Sequence, residues 1–148
     1  MGLVAALVVL LGFARASAAV TVTVIAAPGT PVTLEQVTLL NTDAAPMVLL
    51  YAATNQSAAD IDQFTVTVLV FDKDKRLKAR QVAPGRRTLA IKETKFSAMV
   101  LDVGAIGPAD SLLVGADQAQ TVGSDEWWRA DLRTLAEGLM KTASPSAR

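Results

Sequence analysis

Residues 63–82 read QFTVTVLVFDKDKRLKARQV and predict a long β-hairpin. The first half alternates with a period of two in β-branched and aromatic residues, which is the pattern of a β-strand. One face of this strand carries Phe64, Val66, Val68 and Val70, and the other carries Thr65, Thr67, Leu69 and Phe71. The charged residues that follow, Asp-Lys-Asp-Lys at 72–75, favour a turn. The stretch therefore predicts two paired strands joined by a short turn.

The return strand, expected at 76–82, begins a region of concentrated positive charge. Alternation places Leu77 and Ala79 on one face of this strand and Arg76, Lys78 and Arg80 on the other. Residues 73–95 hold nine basic residues against two acidic ones, a net charge of +7. Residues 20–72 carry a net charge of −5 and residues 96–148 a net charge of −3. The near-neutral chain therefore segregates its charges into blocks.

This basic block is the candidate binding site. An anion-binding face is predicted from Lys73, Lys75, Arg76, Lys78, Arg80, Arg86 and Arg87, with Lys92 and Lys95 nearby. The expected ligand is an anionic phospholipid headgroup or an acidic polysaccharide, and the acidic residues of 20–72 are the internal alternative. The interpretation that the sequence favours is a solvated sheet face, whose charge protects an edge strand against pairing with other chains.

Short apolar or alternating segments separated by turn residues predict further strands. They are expected at 20–25, 32–40, 47–54, 88–91, 94–101 and 112–121, with 47–54 in a central position. Together with the hairpin they indicate an all-β fold, an antiparallel immunoglobulin-like β-sandwich of about seven or eight strands.

The pattern changes to a helical period near the C-terminus. Ser124 is expected to cap a helix whose first turn holds Asp125 and Glu126. Its apolar stripe is predicted from Trp128, Leu132, Leu135 and Leu139. Trp127 and Trp128 could stack on sugars or lie at a membrane surface. The favoured interpretation is that Trp128 anchors the helix to the β-sandwich and Trp127 is partly exposed.

One set of motifs resembles a known family. Asn55-Gln56-Ser57, the strand end Val68-Leu69-Val70-Phe71-Asp72, the turn Asp74-Lys75-Arg76-Leu77 and Pro84-Gly85 are similar to motifs of secreted bacterial FxLYD domains. The resemblance covers about residues 50–101. It implies an immunoglobulin-like fold outside the cytoplasm and no particular chemistry. The chain departs from the family at Lys75, which stands where a turn glycine is usual.

The N-terminal segment predicts export. An apolar run at 3–13, followed by Ala16-Ser17-Ala18, has the form of a signal peptide and cleavage site, although no basic residue precedes the run. We expect a cleaved signal peptide at 1–19, a single domain at 20–141 and a flexible tail at 142–148. The alternative is an uncleaved membrane anchor with Arg15 at the interface. A cysteine-free exported protein is typical of bacteria, which indicates a periplasmic or secreted location.

Composition argues against most catalytic chemistry. The chain contains no histidine and no cysteine, so it lacks the commonest general base and the thiolate nucleophile. Asp72 and Asp74 are too few oxygens for calcium, and the sequon at Asn55 is expected to be chance in a bacterial protein. We therefore expect no cofactor, no metal and no enzymatic activity. The expected function is that of an envelope binding module, with no nucleic-acid partner, and the alternative is a structural or assembly subunit that joins another envelope protein.

Overall fold

A computed structural model describes residues 20–42, 45–83 and 87–143. The expected signal peptide, the Pro84-Gly85 turn, Arg86 and residues 144–148 of the expected tail lie outside these described residues. Within them the chain forms eight strands and one helix. These are β1 (Thr21–Val24), β2 (Val32–Thr42), β3 (Ala45–Asn55), β4 (Ile61–Phe71), β5 (Leu77–Val82), β6 (Thr94–Val100), β7 (Ser111–Thr121), β8 (Trp127–Arg129) and α1 (Leu132–Thr142).

The strands form two sheets. The five-stranded sheet has the order β1-β7-β4-β5, with β8 also paired to β7, and the three-stranded sheet has the order β2-β3-β6. Strand β3 is central in its sheet, as expected for its apolar sequence. The expectation of a purely antiparallel fold is wrong at one pair, because β1 runs parallel to β7. Strand β1 pairs with residues 111–114 of β7, and β8 pairs antiparallel with residues 118–120 of the same strand.

The predicted alternation of β4 is confirmed. Its four residues Phe64, Val66, Val68 and Val70 enter an inner core to which both sheets contribute. Leu69 and Phe71 lie in a second cluster on the opposite face of the sheet. This outer cluster consists of Ile25, Ala27, Leu69, Phe71, Leu113, Leu132 and Ala136. Strand β4 is therefore buried on both faces, and burial of this kind is the main source of fold stability.

The predicted facing of β5 is wrong. Phe71 pairs with Leu77 and Val70 with Ala79, so Lys78 is an additional residue that has no counterpart on β4. Such a bulge shifts the alternation by one position. Leu77 accordingly packs against the outer cluster and Ala79 against the inner core, on opposite faces of the sheet. Arg76 belongs to the turn and precedes the strand.

Two other segments differ from expectation. Residues 88–91 form no strand, because only Leu89 makes a bridge, to Ile61. Strand β2 continues to Thr42 and β3 begins at Ala45, beyond the bounds of 40 and 47 that the sequence predicts. In both places the pairing available in the folded chain, which local propensity does not specify, decides the outcome.

The C-terminal helix is shorter than predicted. It begins at Leu132, and its N-cap is Asp131, whose side chain accepts a hydrogen bond from the Thr134 backbone N–H at 3.0 Å. Ser124 does not cap the helix, since its hydroxyl accepts from Glu126 N–H within a turn. Trp128 lies in β8 opposite Ala119, outside the helical stripe. Pairing with β7 thus extends the sheet over residues that the sequence assigned to the helix.

Helix α1 packs against the outer face of the five-stranded sheet. Leu132 and Ala136 are buried in the outer cluster, whereas Leu139 is 44% exposed. The close approach occurs at Gly115 on β7, where an added Cβ would lie 3.1 Å from Leu132 Cδ1 and 2.7 Å from the Ile25 carbonyl oxygen. No helix among the described residues is long and apolar enough to cross a membrane.

Candidate anion-binding site

The predicted cations are distributed over three places. Lys73, Lys75 and Arg76 lie in the β4–β5 turn, and Lys78 and Arg80 lie on β5. Arg87 follows the strand and donates to the Ala83 carbonyl oxygen at 3.4 Å. They do not form the single face that strict alternation predicts, because the bulge at Lys78 interrupts it.

The turn is organised by Asp72. Its carboxylate accepts hydrogen bonds from the backbone N–H groups of Asp74 and Arg76, at 2.8 and 3.0 Å. These bonds, the Arg76 N–H first among them, hold the pKa of Asp72 below its ordinary value. Lys75 has a φ of 62°. This is the left-handed conformation that favours glycine.

Each of the three cations expected on one strand face has a carboxylate partner. The Arg76 guanidinium lies 3.4 Å from Asp72 and 3.0 Å from Asp74, next to it in the turn. These pairs are solvent-exposed, so they contribute little to stability. They leave the guanidinium accessible to a further anion.

Lys78 is held by the loop that precedes β7. Its Nζ donates to Asp110 at 2.7 Å and to the Ala105 carbonyl oxygen at 2.6 Å. The Asp110 carboxylate is nearly buried, and it also accepts from Gly107 N–H at 2.7 Å. The hydrogen bond from Lys78, followed by that from Gly107, lowers the pKa of Asp110. Lys78 therefore has a structural role in tying β5 to this loop.

Arg80 lies beside Asp117, a carboxylate on β7 that is only 6% exposed. Their charged groups are 3.6 Å apart. Asp117 also accepts hydrogen bonds from the hydroxyls of Thr65 and Thr67, so the buried charge is satisfied. Asp117 was not among the site residues predicted from the sequence. Its signal was an acidic residue interrupting the apolar run of β7, together with two threonines on the face of β4 that also carries Leu69 and Phe71.

The turn and α1 border an open cavity of about 540 Å³, the tip pocket. It is lined by Asp74, Lys75, Arg76, Leu77, Arg133, Glu137, Met140 and Lys141. Arg133, Glu137 and Lys141 are spaced four residues apart, which places them on one face of the helix. Arg133 pairs with Glu137 at 2.9 Å. Four cations thus surround the cavity against two carboxylates.

The tip pocket brings together two predicted site residues and two cations that the sequence analysis did not single out. Lys75 and Arg76 come from the basic block, whereas Arg133 and Lys141 come from the helix, where their block is acidic overall. Lys73 is exposed in the same turn but does not line the cavity. Lys78, Arg80 and Arg87 line no part of it either.

The sequon at Asn55 and the acidic pair at Asp72 and Asp74 were considered above as alternative sites. Asn55 is buried and donates to the carbonyl oxygens of Ala59 and Leu89, so the sequon asparagine is a structural residue. The Asp72 carboxylate accepts hydrogen bonds from backbone N–H groups of the turn, and both Asp72 and Asp74 pair with Arg76. No three acidic side chains converge on a metal-sized site within the described ranges.

The two tryptophans lie together on β8. Both are half-buried, and they line a shallow pocket of about 330 Å³ with Glu126 and Thr121 among the other residues. Trp128 contacts both the inner core and the outer cluster. It therefore anchors β8 to the fold, a structural role like the one expected for it in a helix.

No protein-family model, no curated protein and no solved structure matches this chain. The resemblance to FxLYD domains accordingly stays an expectation drawn from the sequence.

Proposed function

We propose that this protein is a non-enzymatic binding module of the bacterial envelope and that its tip pocket binds an anionic ligand. The observation that carries the proposal is the arrangement of Lys75, Arg76, Arg133 and Lys141 around one open cavity with only two carboxylates. Clustered cations at a concave site concentrate anions and hold them by charge-assisted hydrogen bonds.

The strand order supports an immunoglobulin-like β-sandwich as the scaffold. In immunoglobulin domains the A, B and E strands are neighbours in one sheet, and the C, F and G strands are neighbours in the other. Here β2-β3-β6 has the first arrangement and β4-β7-β8 has the second. Strand β5 lies beside β4 as strand C′ lies beside C in variable domains. The parallel strand β1 is an addition to that plan.

Sequence features support the location and the absence of catalysis. The expected signal peptide at 1–19 favours export to the periplasm or beyond. A chain without histidine or cysteine has few groups suited to acid–base or nucleophilic catalysis near neutral pH. A binding role needs none of these groups.

The lining of the tip pocket supports a lipid headgroup as the proposed ligand. Its volume of about 540 Å³ is in the range of small-molecule sites, and it accommodates one phosphate with its substituents. Leu77 and Met140 supply apolar surface beside the cations. A phosphodiester linked to an apolar chain matches both kinds of lining, and anionic headgroups attract basic surface residues.

Vesicle co-sedimentation at low ionic strength tests the proposal. We expect binding to vesicles that contain phosphatidylglycerol and none to vesicles of phosphatidylcholine alone. A double substitution, Lys75→Gln with Lys141→Gln, should weaken binding about tenfold or more, since each basic residue near an anionic surface contributes to the attraction.

The matched control is Lys92→Gln with Arg129→Gln. It removes the same charge, and Lys92 shares the left-handed backbone of Lys75, with φ values of 59° and 62°. Neither control residue lines the tip pocket. Equal weakening by both pairs would show attraction by net charge alone and would contradict a site. Binding to an acidic polysaccharide but not to the vesicles would reassign the ligand class.

A further inference from the structure

The outer face of the three-stranded sheet is apolar. Strand register places Leu40, Val48 and Val100 in one row across β2, β3 and β6, and it places Leu50 beside Ala98 in the next row. Phe96 follows on β6, opposite Ala52. We name the outer apolar face by the six residues Leu40, Val48, Leu50, Phe96, Ala98 and Val100.

Four of these side chains are large and exposed, whereas Val48 is half-buried. Phe96 is 72% exposed, Val100 57%, Leu40 47% and Leu50 36%. A sheet face in contact with water normally carries polar residues in alternation with a buried apolar face. In the described residues, α1 contacts β4 and β7 of the other sheet, so it does not cover this surface.

The chemistry of the face restricts its partner. None of its six residues is charged, and the nearest acid in the register is Glu35, opposite Ala52 at one end. Contiguous exposed apolar surface of this kind marks a contact with another protein or with a membrane, and we take up the protein contact here. A charged polymer would gain nothing from binding here, whereas another apolar surface would.

The face carries a projecting side chain next to a hollow. Phe96 forms one side of a shallow hollow of about 510 Å³, which is also lined by Gln36, Thr38, Leu50, Tyr51, Ser97 and Ala98. A two-fold axis between two copies that sets each Phe96 against the hollow of the other copy would give an isologous contact. We propose that the outer apolar face binds the same face of a second copy of this chain.

The area supports a weak dimer. Three strands about 4.8 Å apart and about 20 Å long present roughly 300 Å² in projection, or about 500 Å² of accessible surface. Two copies together would bury about 1,000 Å², near the lower limit of specific interfaces, so we expect a dissociation constant in the micromolar range. The two sheets would pack face to face, as sheets do within β-sandwiches.

This inference is independent of the anion-binding proposal. The tip pocket is built by the β4–β5 turn and α1, on the outer side of the five-stranded sheet. The dimer contact uses the other sheet. Dimerisation through the outer apolar face would therefore leave both tip pockets open.

Sedimentation equilibrium over a range of concentrations tests the dimer. The informative variant is Val100→Glu, and its matched control is Val122→Glu, because the two valines are 57% and 61% exposed and only Val100 belongs to the face. We expect Val100→Glu to weaken association at least tenfold and Val122→Glu to change it less than about twofold.

The remaining outcomes all count against the proposal. A wild-type chain that stays monomeric at about 1 mM has no such contact. A dimer that Val100→Glu leaves intact uses a different surface. Circular dichroism spectra test whether each variant is folded. If Val100→Glu is unfolded, Phe96→Ser, at the most exposed position of the face, replaces it as the informative variant.

Discussion

Lys75 has a backbone conformation that is unfavourable for a residue with a side chain. Its φ of 62° places a side-chain-bearing residue in the left-handed region. That conformation costs about 1–2 kcal/mol for an ordinary residue, and glycine adopts it freely but loses more backbone entropy on folding. We expect Lys75→Gly to raise the free energy of unfolding by about 0.5–1 kcal/mol. Urea denaturation measures this, and Lys73→Gly in the same turn should show no gain.

Asp110 gives the fold a dependence on acid. Lys78 and Gly107 hold its folded-state pKa below the ordinary value of 3.8. A depressed pKa contributes stability that is fully present above the unfolded pKa, and this stability is lost as the pH falls through the folded pKa. Stability should therefore decline below about pH 4, and Asp110→Asn should flatten this decline. Urea unfolding at several pH values is the measurement, with the exposed Asp125→Asn as control; equal slopes for the two variants would contradict the assignment.

At the scale of elements, the packing of α1 depends on Gly115. An added Cβ there would meet the Ile25 carbonyl oxygen at 2.7 Å, and backbone cannot move aside as a side chain can. We expect Gly115→Ala to lower the free energy of unfolding by about 1–3 kcal/mol, as overpacking does. Gly138→Ala is the control, because nothing lies within 4 Å of its added Cβ and alanine favours a helix. Gly138→Ala should raise the free energy of unfolding by up to about 1 kcal/mol. A lower free energy of unfolding in Gly138→Ala would contradict the exposed position of Gly138 on α1.

The elements that could be predicted from the sequence are those whose hydrophobic pattern agrees with their strand pairing in the fold. Strand β4 has period-two alternation and is paired along its whole length with β7 and over residues 67–71 with β5, so its faces follow from its sequence. Trp127 and Trp128 fit either a helical stripe or a strand, and only pairing with β7 decides for the strand. A bulge adds one residue without changing composition, so the facing of Lys78 could not be predicted from its neighbours.

At the scale of the whole molecule, the charge blocks of the sequence are partly neutralised. Lys78 and Arg80 have partners at Asp110 and Asp117, more than thirty positions away in the chain, and neither acid belongs to residues 20–72. Sequence spacing cannot predict such contacts, because they depend on which strands become neighbours. The tip pocket has the same origin: α1 brings Arg133 and Lys141 to the basic turn only in the folded chain.

The central claim, an anion site at the tip pocket, is tested most directly by NMR titration with glycerol phosphate at low ionic strength. The account predicts saturable amide shift changes at residues 74–77 and 133–141, and it predicts their loss in the Lys75→Gln, Lys141→Gln variant. Shift changes centred on residues 126–128, or changes that spread evenly over all exposed cations, would contradict it.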